Sequence, residues 1–313
     1  MQPTSFSLPI VQSEMNVHHW PATEPTVRRG SVLLIHGMAE HSLRYAHVAQ
    51  ALCAKGLDVF APDLRGHGKT AKNPEELGFF ANDQGWLLLL QDILALYHRI
   101  QQSTAHMPVF LLGHSMGSFI VQHLLFEHSA KFAGAILSAP VGDAGIMRSV
   151  GLAATLVERL RQGPSARSTL LSWMSFGDFN RAFAPNRTDH DWLSRDPDQV
   201  DLYLADPQCG FPLSNQMWID VLYGLGEISK PALRKHIRKD LPVYMLSGDC
   251  DPVTEQGKKV KELVQAYLNA GLQDVSIHLY HGARHECFNE INRDEVIEDL
   301  LFWLERVLPR ISS

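Results

Sequence analysis

The sequence predicts an α/β protein: a mostly parallel central sheet flanked by helices, interrupted once by an all-helical insertion. Short apolar runs without strict alternation recur along the chain, as expected of strands covered on both faces. Each is followed by apolar residues at helical spacing, and strands that alternate with helices build a doubly wound parallel sheet. From 141 to 239 the strand pattern stops while the helical pattern continues.

Taken in order, Phe6–Ile10 and Asn16–Trp20 read as a first antiparallel pair. Ser31–Ile35 is a buried strand ending in His36-Gly37, and Arg44–Lys55 carries Tyr45, Val48, Ala49 and Leu52 on one helical face. Leu57–Pro62 ends in Asp63. Trp86–Arg99 is helical, Pro108–Leu112 is a strand ending in Gly113, and Met116–Glu127 is helical again. Phe132–Leu137 ends in Ser138. After the insertion come Leu241–Leu246, the helix Gln256–Ala270, the strand Val275–Tyr280 and the helix Arg293–Val307. The core is therefore expected at 1–140 and 240–313, and a helical cap at 141–239.

Inside that insertion, Ile146, Met147, Val150, Leu156, Val157 and Leu160 form an apolar stripe. Phe176, Phe179, Phe183, Trp192, Tyr203, Phe211, Trp218 and Tyr223 crowd the stretch that follows. Some of these aromatics glue the insertion to the core. An insertion at the carboxyl edge of an α/β sheet also roofs the place where ligands bind.

Composition narrows the function classes. The chain has 313 residues, 45% hydrophobic and 20% charged, which excludes disorder and a membrane bundle. A net charge of −6 offers no bulk attraction for nucleic acid or anionic lipid, so a small-molecule partner is expected. Met1–Trp20 lacks the charged and apolar regions of a signal peptide, and the four cysteines form no Cys-x-x-Cys pair. A cytoplasmic protein is expected.

The strongest local signal is Gly113-His114-Ser115-Met116-Gly117, which follows a buried strand and opens a helix. That is the setting of a nucleophile elbow, where a sharp strand-to-helix turn projects a serine. A serine hydroxyl needs a base, and the base needs an orienting carboxylate. In chain order the acid comes next, then the histidine. Ser247-Gly248-Asp249-Cys250-Asp251-Pro252 and His281-Gly282-Ala283-Arg284-His285-Glu286 both fall at strand carboxyl ends. Asp251 is preferred over Asp249, which suits a turn residue. His285 is preferred over His281 because it has enough loop before it to reach over the sheet edge. The expected triad is Ser115, Asp251 and His285.

Acyl transfer also needs donors for a tetrahedral oxyanion. The backbone N–H of Met116, after the nucleophile, is one candidate, and that of Met38, in the loop after the early strand, is the other. His278, His281 and His285 have suggestive metal spacing, as do His36 and His41. No His-Glu-x-x-His helix or Cys/His cluster accompanies them. Gly66-His67-Gly68 is too short for a dinucleotide loop, so neither metal nor cofactor is expected. Cys250 adjoins Asp251 and Cys287 lies two residues past His285: either a redox-sensitive pair near the site or inert thiols.

With these residues in hand, the chain resembles the monoacylglycerol lipase and lysophospholipase branch of the α/β-hydrolase superfamily. The resemblance rests on residues 36–45 (HGMAEHSLRY), 63–68 (DLRGHG), 113–117 and 282–286, with 193–197 (LSRDP) and 203–207 (YLADP) in the insertion. It implies an α/β-hydrolase fold and a cofactor-free esterase acting on glycerol- or phospholipid-linked acyl chains. It also implies structural roles for Glu40, Arg44 and Asp63, the first two organising the oxyanion loop. The apolar stripe then lines an acyl tunnel or rests on a membrane. Thioester or amide cleavage by the same triad is the rival activity, and a non-catalytic ligand receptor is the rival class.

Overall fold

Eight strands join in one sheet in the order β1-β2-β4-β3-β5-β6-β7-β8. The computed structural model describes residues 2–23, 28–104, 107–143 and 145–311. β1 (Thr4–Ile10) and β2 (Ser13–Trp20) form an antiparallel hairpin, and β2 pairs antiparallel with β4. From β4 onward every pairing is parallel: β3 (Gly30–Ile35), β4 (Leu57–Pro62), β5 (Val109–His114), β6 (Gly134–Ser138), β7 (Val243–Gly248) and β8 (Val275–Tyr280).

The apolar runs lack alternation because both faces are covered. On β3, Leu33 and Ile35 face one core layer while Val32 and Leu34 face the other. The first layer is built on α2 (Gly85–Ser103), α3 (Met116–His128) and α9 (Lys258–Asn269). The second is built on α1 (Ala46–Cys53) and α10 (Arg293–Ile311). Strands and helices fall where expected, with small shifts at their ends. Tyr45 closes a 3-10 turn, Ser42–Tyr45, before α1 begins. β7 starts at Val243 rather than Leu241, since Pro242 has no N–H to give the ladder.

Between β6 and β7 the described residues hold helices and no strand: α4 (Gly145–Gln162), α5 (Thr169–Phe176), α6 (Pro197–Ala205), α7 (Asn215–Ile228) and α8 (Pro231–Arg234). α7 packs on the core helices. Its Gly224 lies so close to the Trp86 indole that a Cβ has no room, and Asp220 accepts from the Gly85 amide at 3.1 Å.

α4 is oriented contrary to a simple reading of its pattern. Val150, Leu156, Val157 and Leu160 face solvent, Leu160 being 88% exposed, while Thr155 and Glu158 are buried. Polar anchoring decides this. Glu158 accepts from Ser168 Oγ at 2.7 Å and from Gln162 at 2.6 Å, and it pairs with Arg161. The side chains of Ile146, Met147 and Phe176 lie outside the described residues. Among the described residues, no helix is long and apolar enough to cross a membrane.

Candidate active site

Ser115 sits between β5 and α3 with φ 50° and ψ −117°, a left-handed conformation that a non-glycine residue adopts only under constraint. Its N–H donates to Ser138 O of the neighbouring strand at 2.9 Å. The flanking glycines are required sterically: a Cβ on Gly113 would strike the Gly117 carbonyl, and one on Gly117 the Ile35 carbonyl. α3 opens at Met116, whose N–H is among the first-turn donors with no acceptor inside the helix.

The loop after β3 lies opposite. Gly37 N–H donates to Glu40 Oε1 at 2.5 Å, and Ala39 N–H donates to His67 Nε2 at 3.2 Å. Two buried imidazoles brace this loop in fixed tautomers. His67 Nδ1–H donates to Arg65 O, and His36 Nδ1–H to Gly37 O, so each Nε2 accepts a backbone N–H. Burial, with the adjacent His36, pushes His67 down to about 3, so it stays neutral and serves as an acceptor. Asp63 ties the next turn by accepting from Ser42 N and Oγ, Lys69 N and Asn16 Nδ2.

Two aspartate–histidine pairs lie side by side at the ends of β7 and β8. Asp249 takes His281, at 3.0 Å, and that histidine is fully exposed. Asp251 takes His285, its oxygens 3.0 and 3.1 Å from Nδ1, and this pair is buried. Asp251 is fixed in turn by Val253 N–H at 2.9 Å and Ser247 Oγ at 3.2 Å. Burial disfavours the His285 imidazolium, but the charge and hydrogen bond of Asp251, with Glu286 and Glu40, more than offset it, leaving the group above its ordinary value. His114 lies beside it, ring centroids 4.9 Å apart, and is driven down to about 4 by burial and by the His285 charge.

Sequence reasoning missed three groups. Trp192 packs on the His285 ring at 5.2 Å, and its carbonyl accepts the His285 N–H at 3.4 Å. Glu286 is bridged by Arg44, which also holds Glu40. Tyr203 OH donates to Ala39 O at 3.0 Å and so ties the insertion to the loop after β3. Motifs in the sequence contain Arg44, Glu286 and Tyr203, and the resemblance groups Glu40 with Arg44, but nothing local pairs Arg44 with Glu286 or Tyr203 with Ala39.

All four cysteines are free. The Cys250 thiol donates to Asp249 and the Cys287 thiol to Arg284 O, and burial pushes both thiols up. Of the five histidines with suggestive metal spacing, His278 takes Asp299, His281 takes Asp249, His285 takes Asp251 and His41 takes Asp206, while His36 turns to Gly37 O.

Ser115, Met38, Met116 and His285 all line one cavity of about 1040 Å³, with Asp251 buried outside its wall behind His285. Phe119, Trp173, Met174, Trp218, Val221 and Leu225 give the cavity apolar sides. Residues 26–292 match the Hydrolase_4 family, described as serine aminopeptidase, S33. The chain belongs to that family.

It is an α/β-hydrolase, and an enzyme of the esterase and lipase kind. It is 29% identical over 289 residues to the monoacylglycerol lipase of Mycolicibacterium smegmatis, covering 91% of this chain and 90% of that one. To the monoglyceride lipase of Homo sapiens it is 27% identical, over 88% of this chain and 82% of that one. A thermostable carboxyl esterase from Bacillus coagulans, solved in complex with glycerol, superposes with a TM-score of 0.90 at 26% identity. That match covers 98% of this chain and 99% of the esterase.

Proposed function

We propose that this α/β-hydrolase cleaves monoacyl esters of glycerol or lysophospholipid type through Ser115, Asp251 and His285. The observation that carries the reading is the cavity. One apolar-sided space holds the strained Ser115, the imidazole of His285 and the amides of Met38 and Met116. Asp251 keeps Nδ1 protonated, which leaves Nε2 as the base. His285 takes the Ser115 proton as Oγ attacks the acyl carbonyl, then returns it to the departing alcohol. Water repeats the cycle on the acyl-enzyme.

The oxyanion assignment follows from elimination within the loop after β3. The amides of Gly37 and Ala39 already donate to Glu40 and His67, and that of Met38 lies between them. Together with the first amide of α3 it gives two donors, each contributing ~3 kcal/mol to the barrier reduction.

Residues 141–239 act as the cap. Burial of an acyl chain against its apolar sides contributes ~0.8 kcal/mol per methylene. The stripe on α4 is exposed, as are Leu170 and Trp173 on α5, and Trp173 also lines the cavity. We infer that this face rests on a lipid surface while the substrate enters, and that the four free thiols belong to the reducing cytoplasm.

Amide cleavage is the second reading, since the family description names an aminopeptidase. Such an enzyme needs a carboxylate free to meet an α-ammonium group. Glu40 and Glu286 line the cavity but are held by Arg44, whereas Asp143, Asp178 and Asp189 of the insertion also line it, so the choice between ester and amide falls to the substrate comparison. The test is steady-state hydrolysis of p-nitrophenyl esters from acetate to palmitate, with 2-acylglycerol, lysophosphatidylcholine, an acyl thioester and an aminoacyl amide. Wild type and Ser115→Ala are run together. The reading requires Ser115-dependent kcat/KM that rises with acyl length and is highest on the oxygen esters. Preference for the amide or thioester, or turnover that survives Ser115→Ala, overturns it.

A further inference from the structure

Away from the triad, the seam between the insertion and the loop after β3 gathers three side chains of different donor chemistry. His41 Nε2 lies 2.9 Å from Asp206 Oδ2, and the ligating atoms of His41, Asp206 and Cys209 all fall within 4.8 Å of one another. Backbone bonds hold them there. Cys209 N–H donates to Asp206 O at 3.0 Å, which folds the Asp206–Cys209 segment so that both side chains share one side of a turn. Gln208 N–H holds the other Asp206 oxygen at 2.8 Å, and Gly210 N–H docks the turn on Ala39 O at 2.9 Å.

We propose that His41, Asp206 and Cys209 bind a borderline divalent cation, zinc above all, as a structural clamp between cap and core. Imidazole nitrogen, carboxylate oxygen and thiolate sulfur are the zinc donor set; bonds of about 2.0–2.3 Å place tetrahedral donors roughly 3.3–3.7 Å apart, so the side chains shift by about an ångström as the ion enters. Cys209 binds as the thiolate, its proton passing to solvent. With Asp206 it balances the two positive charges, and His41 stays neutral by giving up the Nε2 proton it offers Asp206 and carrying its proton on Nδ1 instead. A water completes the tetrahedron. Asp206 is 35% exposed, which gives the ion its way in past the buried His41 and Cys209. Burial pushes the Cys209 thiol up and the Arg44 charge opposes this, so the ion must displace the thiol proton; the Arg44 charge itself is met by Glu40 and Glu286. The bound ion ties the Asp206–Gly210 turn to the loop that carries Met38, so its role is to fix the cap rather than to take part in the reaction.

The test is a cobalt(II) titration of purified, chelator-treated enzyme, read by thiolate-to-cobalt charge transfer in the near ultraviolet and by the visible bands of tetrahedral cobalt. One equivalent is expected to saturate both, and zinc to displace it. The charge-transfer band is expected to vanish in Cys209→Ser. It should need at least tenfold more cobalt in Asp206→Asn, and persist in Cys250→Ser, a thiol that neighbours a different aspartate–histidine pair. Zinc at a hundredfold excess over its Kd is expected to raise Tm by ~5 °C in wild type and not in Cys209→Ser. No thiolate band with millimolar cobalt, or a band that survives Cys209→Ser or is unaltered by Asp206→Asn, overturns the proposal.

Discussion

Arg44 makes two parallel bonds of 2.6 Å to Glu286, the residue after His285, and a third of 2.7 Å to Glu40. One guanidinium therefore joins the loop after β3 to the loop after β8, although 242 residues separate Arg44 from Glu286. Glu40 in turn accepts from Gly37 N–H and Tyr45 OH, so the Met38 amide and the His285 ring are referenced to the same buried ion cluster. Burial pushes the Glu40 carboxyl up, but the Arg44 charge, with help from His114, His36 and Tyr45, carries it down to about 2.

Arg44→Lys tests that coupling. A lysine ammonium is a point charge and cannot bridge two carboxylates in a planar fork. Breaking a buried pair typically costs ~3–5 kcal/mol because the partner is left uncompensated. The expected outcome is a Tm lower by ~6–10 °C. A positioning role further requires kcat to fall more than tenfold with KM changing little, measured well below the new Tm. A variant that loses stability but keeps kcat limits Arg44 to structure.

The paired aspartates give the sharpest contrast. Asp251→Asn leaves the Asp251 site filled but lets His285 adopt the wrong tautomer, and kcat should fall by ~10⁴. Asp249→Asn disturbs the exposed His281, the Gly282 amide and the Cys250 thiol, none of which touches the reacting groups, so kcat should stay within about threefold of wild type. Equal losses in the two variants would sink the assignment of Asp251.

Much of this site was legible because its determinants are local. Gly113 and Gly117 are dictated by neighbouring carbonyls, and the acid and histidine follow strand ends in fixed chain order. The choice of Asp251 over Asp249 rested on the same local turn chemistry, and the structure gives the two residues different histidines. What escaped depends on distance along the chain. Trp192 reaches His285 and Tyr203 reaches Ala39 across 93 and 164 residues, and no spacing rule names such partners. The stripe on α4 escaped for another reason. Periodicity finds an apolar face, but Glu158 and its three partners decide which face is wet.

The raised His285 gives opposite pH trends for activity and stability. Attack needs the neutral imidazole, so kcat/KM should rise with pH through a midpoint above the ordinary 6.5. A group raised on folding stabilises fully below its unfolded value and loses that contribution as pH climbs through the folded one. The Tm advantage of wild type over His285→Gln should therefore be greatest below pH 6.5 and shrink across the interval where activity appears. Asp251→Asn removes the chief raising group, and its residual activity should titrate at lower pH. A midpoint below 6.5 in wild type would contradict the buried ion pair.

The outward stripe makes a prediction that separates docking from chemistry. Val157 and Leu160 are 54% and 88% exposed and lie outside the cavity wall, so replacing both with serine leaves the reacting groups untouched. Turnover of a short, water-soluble ester should then match wild type, and so should Tm. Burying an aliphatic side chain this size in lipid contributes ~1.5–3 kcal/mol. Losing two such contacts should lower vesicle affinity by about a hundredfold or more. Co-sedimentation with zwitterionic vesicles measures this directly, and kcat/KM on vesicle-borne monoacylglycerol should fall in step. The basis for using zwitterionic lipid is the charge of −6, which opposes any general attraction to an anionic surface. Unchanged sedimentation would place lipid contact elsewhere and leave the stripe without a role in substrate entry. Loss of activity on the soluble ester would mean instead that α4 supports the cavity through α5 and α7, against which it packs.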